Sequence, residues 1–129
     1  GLGPKKVDDV MVVFKSYVTR VGDGPFAGEI SASEIKKLGW SETGTVTGRT
    51  RRAAPFDFNL ARRSIMLNSA TSIAITKLDI LFPSATGIRK YDELSSDAQA
   101  FIENIENELN TSVSIIGTGA EVFDPIDRR

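Results

Sequence analysis

Apolar residues fall along the chain in short blocks, separated by stretches rich in glycine, hydroxyl and charge. The first block, Val10 to Tyr17 (VMVVFKSY), is β-branched and aromatic and predicts a largely buried strand. Val21-Gly22-Asp23-Gly24-Pro25-Phe26 is dense in turn formers and predicts a loop. Ser33 to Leu38 predicts a short helix stopped by Gly39, and a polar, Gly-rich loop follows from Ser41 to about Ala54. Asp57 suits the N-cap of a helix through Leu60, Ala61, Ile65 and Met66, ending near Asn68. Ser72 to Thr76 (SIAIT) predicts a strand that halts at Lys77-Leu78-Asp79. Phe82 to Leu94 reads as irregular, with a brief strand near Ile88 to Tyr91. At Ser96-Asp97-Ala98-Gln99 a capping box opens the clearest helix. Its Ala98, Phe101, Ile102, Ile105 and Leu109 share one face, and Asn110 suits the exit. Val113 to Ile116 predicts a further strand running into Gly117-Thr118-Gly119, and Asp124 to Arg129 carries no packing pattern.

Strands alternating with helices predict an α/β layer with a mostly parallel sheet and flanking helices. In such sheets ligands sit beyond the carboxyl ends of the strands. At 129 residues the chain suits one domain, and 40% hydrophobic with 26% charged residues is a globular composition. Sixteen Lys and Arg against 17 Asp and Glu leave a net charge of -1, so no overall field draws the chain to nucleic acid or an anionic membrane. Any basic site must be local. The absence of cysteine and histidine excludes disulfides, thiolate nucleophiles, a Ser-His-Asp triad and His- or Cys-ligated metals within these residues. No apolar run reaches membrane-spanning length and no basic-then-apolar leader opens the chain, so a cytoplasmic location is expected. The opening Gly-Leu-Gly-Pro, without Met and almost at once followed by a strand, is what a fragment of a longer chain would show.

Three segments could carry chemistry. Thr76-Lys77-Leu78-Asp79 sets a carboxylate and an ammonium just past a strand. Guanine presents N1–H and its exocyclic amine side by side, which one carboxylate accepts together, whereas adenine would leave that carboxylate unpaired. The lysine stem can lie along the purine face. The same four residues would also suit an ordinary solvated loop. Gly117-Thr118-Gly119 lets a ligand ring approach the backbone, or is simply a tight turn. The loop Glu42-Thr43-Gly44-Thr45-Val46-Thr47-Gly48-Arg49-Thr50-Arg51-Arg52 follows hydroxyls and glycines with three guanidinium groups, a receptor for a multi-oxygen anion. If it is extended, Arg49 and Arg51 share a face and Arg52 points away. With no aromatic residues between the arginines, a small polyanion is favoured over nucleic acid. No GxxxxGK(S/T) phosphate loop and no GxGxxG after a strand occur.

In order along the chain, these pieces resemble the adenylosuccinate synthetase family. The resemblance is carried by Lys15 to Phe26 (KSYVTRVGDGPF), Glu42 to Arg52 (ETGTVTGRTRR), Thr76 to Asp79 (TKLD) and Gly117 to Gly119. It covers nearly the whole of residues 1–129 and corresponds to the carboxy-terminal portion of that family. It implies a P-loop-NTPase-like nucleotide ligase fold whose phosphate loop lies outside this chain. Val46-Thr47 stands where the commonest family pattern has two threonines, Ala27-Gly28 replaces Pro-Thr, and the spacing between the first two motifs is short. These departures mark a compact, divergent branch.

The resemblance implies a GTP-dependent ligase that joins inosine monophosphate to L-aspartate, in the first committed step of AMP synthesis. GTP phosphorylates the 6-oxygen of inosine monophosphate, and the aspartate amine then displaces phosphate. By the same resemblance Val21, Thr45, Val46, Thr47, Gly48 and Arg49 would bind aspartate and inosine monophosphate. Arg49 would hold an aspartate carboxylate, and Val21 would meet the ribose through its backbone. Arg51, Lys77, Leu78, Asp79, Gly117, Thr118 and Gly119 would bind GTP. Catalytic residues and the ligands of Mg2+ are expected outside this chain, which would then be inactive alone. Its partners would be the three substrates, with no nucleic acid polymer and no membrane, and the full-length enzyme would be a homodimer. The alternative is a non-catalytic guanine-nucleotide-binding or interaction module.

Overall fold

A computed structural model describes residues 1–46 and 48–129. The first apolar block forms two strands rather than one, β1 (Met11–Lys15) and β2 (Tyr17–Arg20), which enter different sheets. Ser16 makes the break. Its amide donates to the Thr76 carbonyl at 2.9 Å and its buried hydroxyl donates to the Lys77 carbonyl at 2.7 Å, which turns the chain out of the first sheet. α1 (Ala32–Leu38) follows. Its N-cap is Ser31, which forms a capping box with Glu34, and Gly39 closes it at φ 72°.

β3 (Arg52–Pro55) lies inside the stretch expected to be a loop and pairs antiparallel with β2. Two small apolar residues in succession explain it: Ala53 and Ala54 are both buried, one on each face of the strand, while Arg52 and Pro55 flank them. α2 (Phe58–Asn68) begins where Asp57 accepts from the Leu60 amide at 2.9 Å. β4 (Ser72–Thr76) is followed by the four-residue helix α3 (Leu78–Leu81). Ile88 to Tyr91 is not a strand. The Ile88 amide donates back to the Ala85 carbonyl, and Tyr91–Glu93 is a 3-10 turn whose tyrosine ring is covered by the Arg128 guanidinium.

α4 (Ser96–Leu109) is capped by Ser95, one residue earlier than the expected box. Gln99 is thereby one place too far along to close it, and its amide instead donates to the carbonyls of Tyr91 and Leu94 at 3.1 Å. Asn110 ends the helix at φ 47°. β5 (Val113–Gly117) and β6 (Pro125–Asp127) complete the chain. The tail does pack: β6 pairs antiparallel with β5 and buries Ile126, a signal too short to show as a pattern.

The main sheet runs β1-β4-β5-β6, with β1, β4 and β5 parallel. It is mixed α/β with a mostly parallel sheet. α2 and α4 are the two crossover helices, and they pack on one another. An ion pair between Arg62 and Glu108 joins them. Between them and the sheet lies the main core, with Ile73, Ile75, Ile102, Ile105 and Ile116 all fully buried. Each such side chain contributes about 1.5–3 kcal/mol relative to exposure. A second, smaller core holds Tyr17, Ile35, Trp40 and Ala53, with Tyr17 stacked on Trp40 at 4.7 Å between centroids. α3 joins the two, since Leu78 enters the main core and Ile80 and Leu81 pack on the smaller one.

Candidate functional site at the carboxyl ends of the parallel strands

Because β1, β4 and β5 are parallel, the turns after all three open on one edge of the sheet. Lys77 leaves β4 in the left-handed region, at φ 62° and ψ 33°, which is uncommon for a side chain other than glycine. Its carbonyl is held there by three donors: the Ser16 hydroxyl, and the amides of Ile80 at 3.2 Å and Leu81 at 3.4 Å. This reversal starts α3 and sets Asp79 in its first turn. Asp79 is half-buried, and among the described residues it has no hydrogen-bond or ion-pair partner.

The β5 exit lies alongside. A Cβ on Gly117 would stand 3.5 Å from the Thr76 Cα and 3.9 Å from the Lys77 amide nitrogen, so the two turns are in backbone contact. Thr118 is fully buried, with its hydroxyl 2.7 Å from the Ile88 carbonyl and 2.6 Å from that of Asp124. Its side chain is thus committed to the fold. Gly119 has no room for a Cβ because the Asp124 carboxylate occupies that space while accepting from the Glu121 amide. Leu78 likewise lends its side chain to the core.

The arginine-rich loop is a hairpin. The Arg51 amide donates to the Glu42 carbonyl, Thr43 bridges Thr50, and the Gly44 amide donates to the Arg49 carbonyl at 2.9 Å. Gly48, at φ 62°, donates back to the Gly44 carbonyl at 2.8 Å and closes the tip. Thr45, Val46, Gly48 and Arg49 are exposed at this tip, and Thr47 lies outside the described residues. Among the described residues, no side-chain hydrogen bond joins Thr45 or Arg49 to the turns after β4 and β5. Arg52 points elsewhere: it pairs with Glu29, donates to the carbonyls of Gly22 and Gly24 at 2.9 Å, and lies over the Phe26 ring. Arg20 gathers the carbonyls of Asp23 and Pro25 in the same way. Two guanidinium groups therefore shape the Val21–Pro25 loop, and Val21 stands partly exposed beside it.

The sequence reading missed Glu42 as a side chain in its own right, together with Lys15, Ser16 and Tyr17. Glu42 Oε1 accepts from the Tyr17 hydroxyl at 2.7 Å and from Lys15 Nζ at 3.0 Å, and lies 3.7 Å from Lys77 Nζ. Its Oε2 accepts from Arg51 Nη1 at 3.2 Å. The carboxylate thus ties the hairpin to the turn after β4. Desolvation, the largest single influence, pushes the Glu42 carboxyl up, but the Tyr17 and Lys15 hydrogen bonds and the Lys15 and Lys77 charges together hold it below its usual value. Burial raises the Tyr17 phenol and lowers the Lys15 ammonium. The available signal was the spacing of Lys15 and Tyr17, two apart and so on one side of an extended chain.

These features define an α/β protein whose cationic and carboxylate side chains gather at the carboxyl ends of a mostly parallel sheet. The adenylosuccinate synthetase family model matches residues 1–86. Adenylosuccinate synthetases of Methanosphaera stadtmanae and Thermococcus onnurineus are 50% and 54% identical over all 129 residues. The chain belongs to the adenylosuccinate synthetase family. It spans about 38% of the length of those curated relatives. A fully ligated adenylosuccinate synthetase structure from Plasmodium falciparum superposes with a TM-score of 0.85 at 25% identity, covering 100% of this chain and 42% of that one. The cyanophage S-2L succinoaminodeoxyadenylate synthetase, bound to dGMP and dATP, shares the fold at a TM-score of 0.63 and 22% identity, covering 90% of this chain and 33% of that one.

Proposed function

We propose that this chain forms the guanine-reading and aspartate-binding part of a GTP-dependent ligase that makes adenylosuccinate from inosine monophosphate and L-aspartate. One observation carries this reading. Asp79, half-buried and without a partner among the described residues, stands beside Lys77 and the Gly117 turn at the edge where α/β sheets bind ligands. A carboxylate so placed accepts from guanine N1–H and N2–H, and discriminates against adenine by being left unpaired. Lys77 lies along the base, with the backbone of Gly117 and Gly119 approaching it and the buried Thr118 holding the turn from behind.

Arg51, on the hairpin flank, reaches the nucleotide phosphates. Arg49 at the exposed tip holds an aspartate carboxylate, with Thr45, Val46, Thr47 and Gly48 shaping the approach and the Val21 backbone against the inosine ribose. Holding aspartate in place converts the displacement of phosphate from the activated 6-position into an effectively unimolecular step. Arginine charge complements the polyanion that phosphoryl transfer develops.

Among the described residues no group of three acidic side chains converges as a metal site requires. The Mg2+ ligands, the phosphate-cradling loop of a P-loop-like fold and the acid–base residues are assigned to parts of the enzyme outside this chain, which is inactive alone. Among the described residues no helix is long and apolar enough to cross a membrane. A cytoplasmic homodimer with no nucleic acid polymer as partner fits this reading. Calorimetric titration of the chain with GDP and ADP tests it. Heat from GDP but not ADP, lost in Asp79→Asn, is expected. Equal binding of both nucleotides would overturn the assignment of Asp79.

A further inference from the structure

We propose that Glu42 is a positioning residue whose carboxylate holds the phosphate-facing Arg51 and the base-facing Lys77 to one anchor, so that the two halves of the nucleotide site are set together. This rests on the reading that Arg51 and Lys77 bind GTP.

Arg51 and Lys77 belong to separate segments, the hairpin flank and the turn after β4. Both are cations, as is Lys15, and three positive groups in one cluster repel each other in the absence of a counter-charge. Glu42 supplies it. Its side chain is only 15% exposed, and it meets Lys15 at 3.0 Å, Arg51 at 3.2 Å and Lys77 at 3.7 Å. The Tyr17 hydroxyl fixes the carboxylate from the core side at 2.7 Å, and that ring is itself immobilised by stacking on Trp40. The anchor is therefore rigid on the side away from the ligand.

Even with the Asp79 carboxylate nearby, three cations against two carboxylates leave a surplus of positive charge, which suits an incoming polyphosphate. Arg51 is not saturated either. Among the described residues Nη1 alone is engaged, and Nε is buried with no hydrogen-bond partner. A guanidinium pre-set by one carboxylate with donors to spare loses less conformational entropy when a phosphate arrives than a free one would. The Glu42 backbone contributes separately, since its carbonyl accepts from the Arg51 amide and keeps the hairpin flanks paired whatever the side chain is. Substituting the side chain thus leaves the hairpin closed while releasing Arg51 and Lys77.

The test is steady-state kinetics of the complete enzyme containing this chain, with Glu42→Gln, Glu42→Asp, Arg51→Ala and Lys77→Ala compared. In Glu42→Gln the KM for GTP is expected to rise about tenfold, the scale of coupling among residues of one charge network. The KM for aspartate stays within about twofold, because Arg49 lies outside the cluster. Glu42→Asp, which keeps the charge and shortens the reach, is expected to fall between Glu42→Gln and the parent, and serves if the glutamine variant does not fold. A purely structural Glu42 would lower the melting temperature or the active fraction and leave the KM for GTP unchanged. That result, with Arg51→Ala and Lys77→Ala still raising the KM, would overturn the role of Glu42 alone. An unchanged KM in all the variants would overturn the nucleotide assignment of Arg51 and Lys77, and this inference with it.

Discussion

Ser16→Ala removes one oxygen at the point where the two sheets part, and its consequences reach the turn after β4. The hydroxyl is buried and donates to the Lys77 carbonyl at 2.7 Å. A neutral hydrogen bond of this kind contributes about 0.5–1.5 kcal/mol net. The Lys77 carbonyl is not orphaned by the change, because the Ile80 and Leu81 amides still donate to it, so the upper part of the range is not reached. What is lost is the donor that comes from outside α3. That donor matters because Lys77 sits in the left-handed region, which disfavours non-glycine residues by about 1–2 kcal/mol. The expected loss of stability is about 1 kcal/mol. With an unfolding entropy near 2.1 cal/mol/K per residue, a chain of 129 residues gives about 0.27 kcal/mol/K, so the melting temperature should fall by about 4 °C. Thermal and urea unfolding measure this, and calorimetry with GDP measures whether Asp79 moves as the turn relaxes. A fall in melting temperature below about 1 °C with GDP affinity unchanged would show that the Ser16 hydroxyl does not hold the turn.

Two other outcomes follow from the geometry. Gly119→Ala forces the Asp124 carboxylate out of the space it shares with that glycine and breaks its bond to the Glu121 amide, costing about 1–3 kcal/mol. Urea unfolding should show the cost shrinking in an Asp124→Ala background, since the two positions collide directly. In acid, the Glu42 carboxyl has a folded-state value below its ordinary 4.5, so its contribution is complete above that pH and is lost as the pH falls through the lower folded value. Stability measured from pH 6 down to pH 2 should therefore fall less steeply below pH 4.5 in Glu42→Gln than in the parent chain.

Much of the architecture was legible because it is written in local terms. Asp57 before an amphipathic run, Asn110 and Gly39 at helix exits, and the SIAIT block each act within a few residues, and the structure places α2, α4, α1 and β4 there. The failures have non-local causes. Val10 to Tyr17 reads as one strand because its apolar pattern is continuous, and only the Ser16 hydroxyl meeting a carbonyl 61 residues away divides it. The tail shows no pattern because three residues are too few for one, yet pairing with β5 makes Ile126 core. Ser95 rather than Ser96 caps α4, and Gln99, one place beyond the capping-box position, bonds the Tyr91 and Leu94 carbonyls, a contact no local pattern records.

The site divides along the same line. The order of the motifs, through the family resemblance it carries, is what named Arg49, Arg51, Lys77, Asp79 and Gly117 to Gly119 as candidates, since each segment taken singly also suits an ordinary loop or turn. Tertiary structure alone decided which of them are neighbours: it brought Gly117 against Thr76 and turned the Thr118 hydroxyl inward. It also spent Arg52 on the Val21–Pro25 loop and joined Arg51 to Lys77 through Glu42. Charge pairing and close packing act through space, and no periodicity along the chain records which carboxylate a folded backbone will carry to which cation.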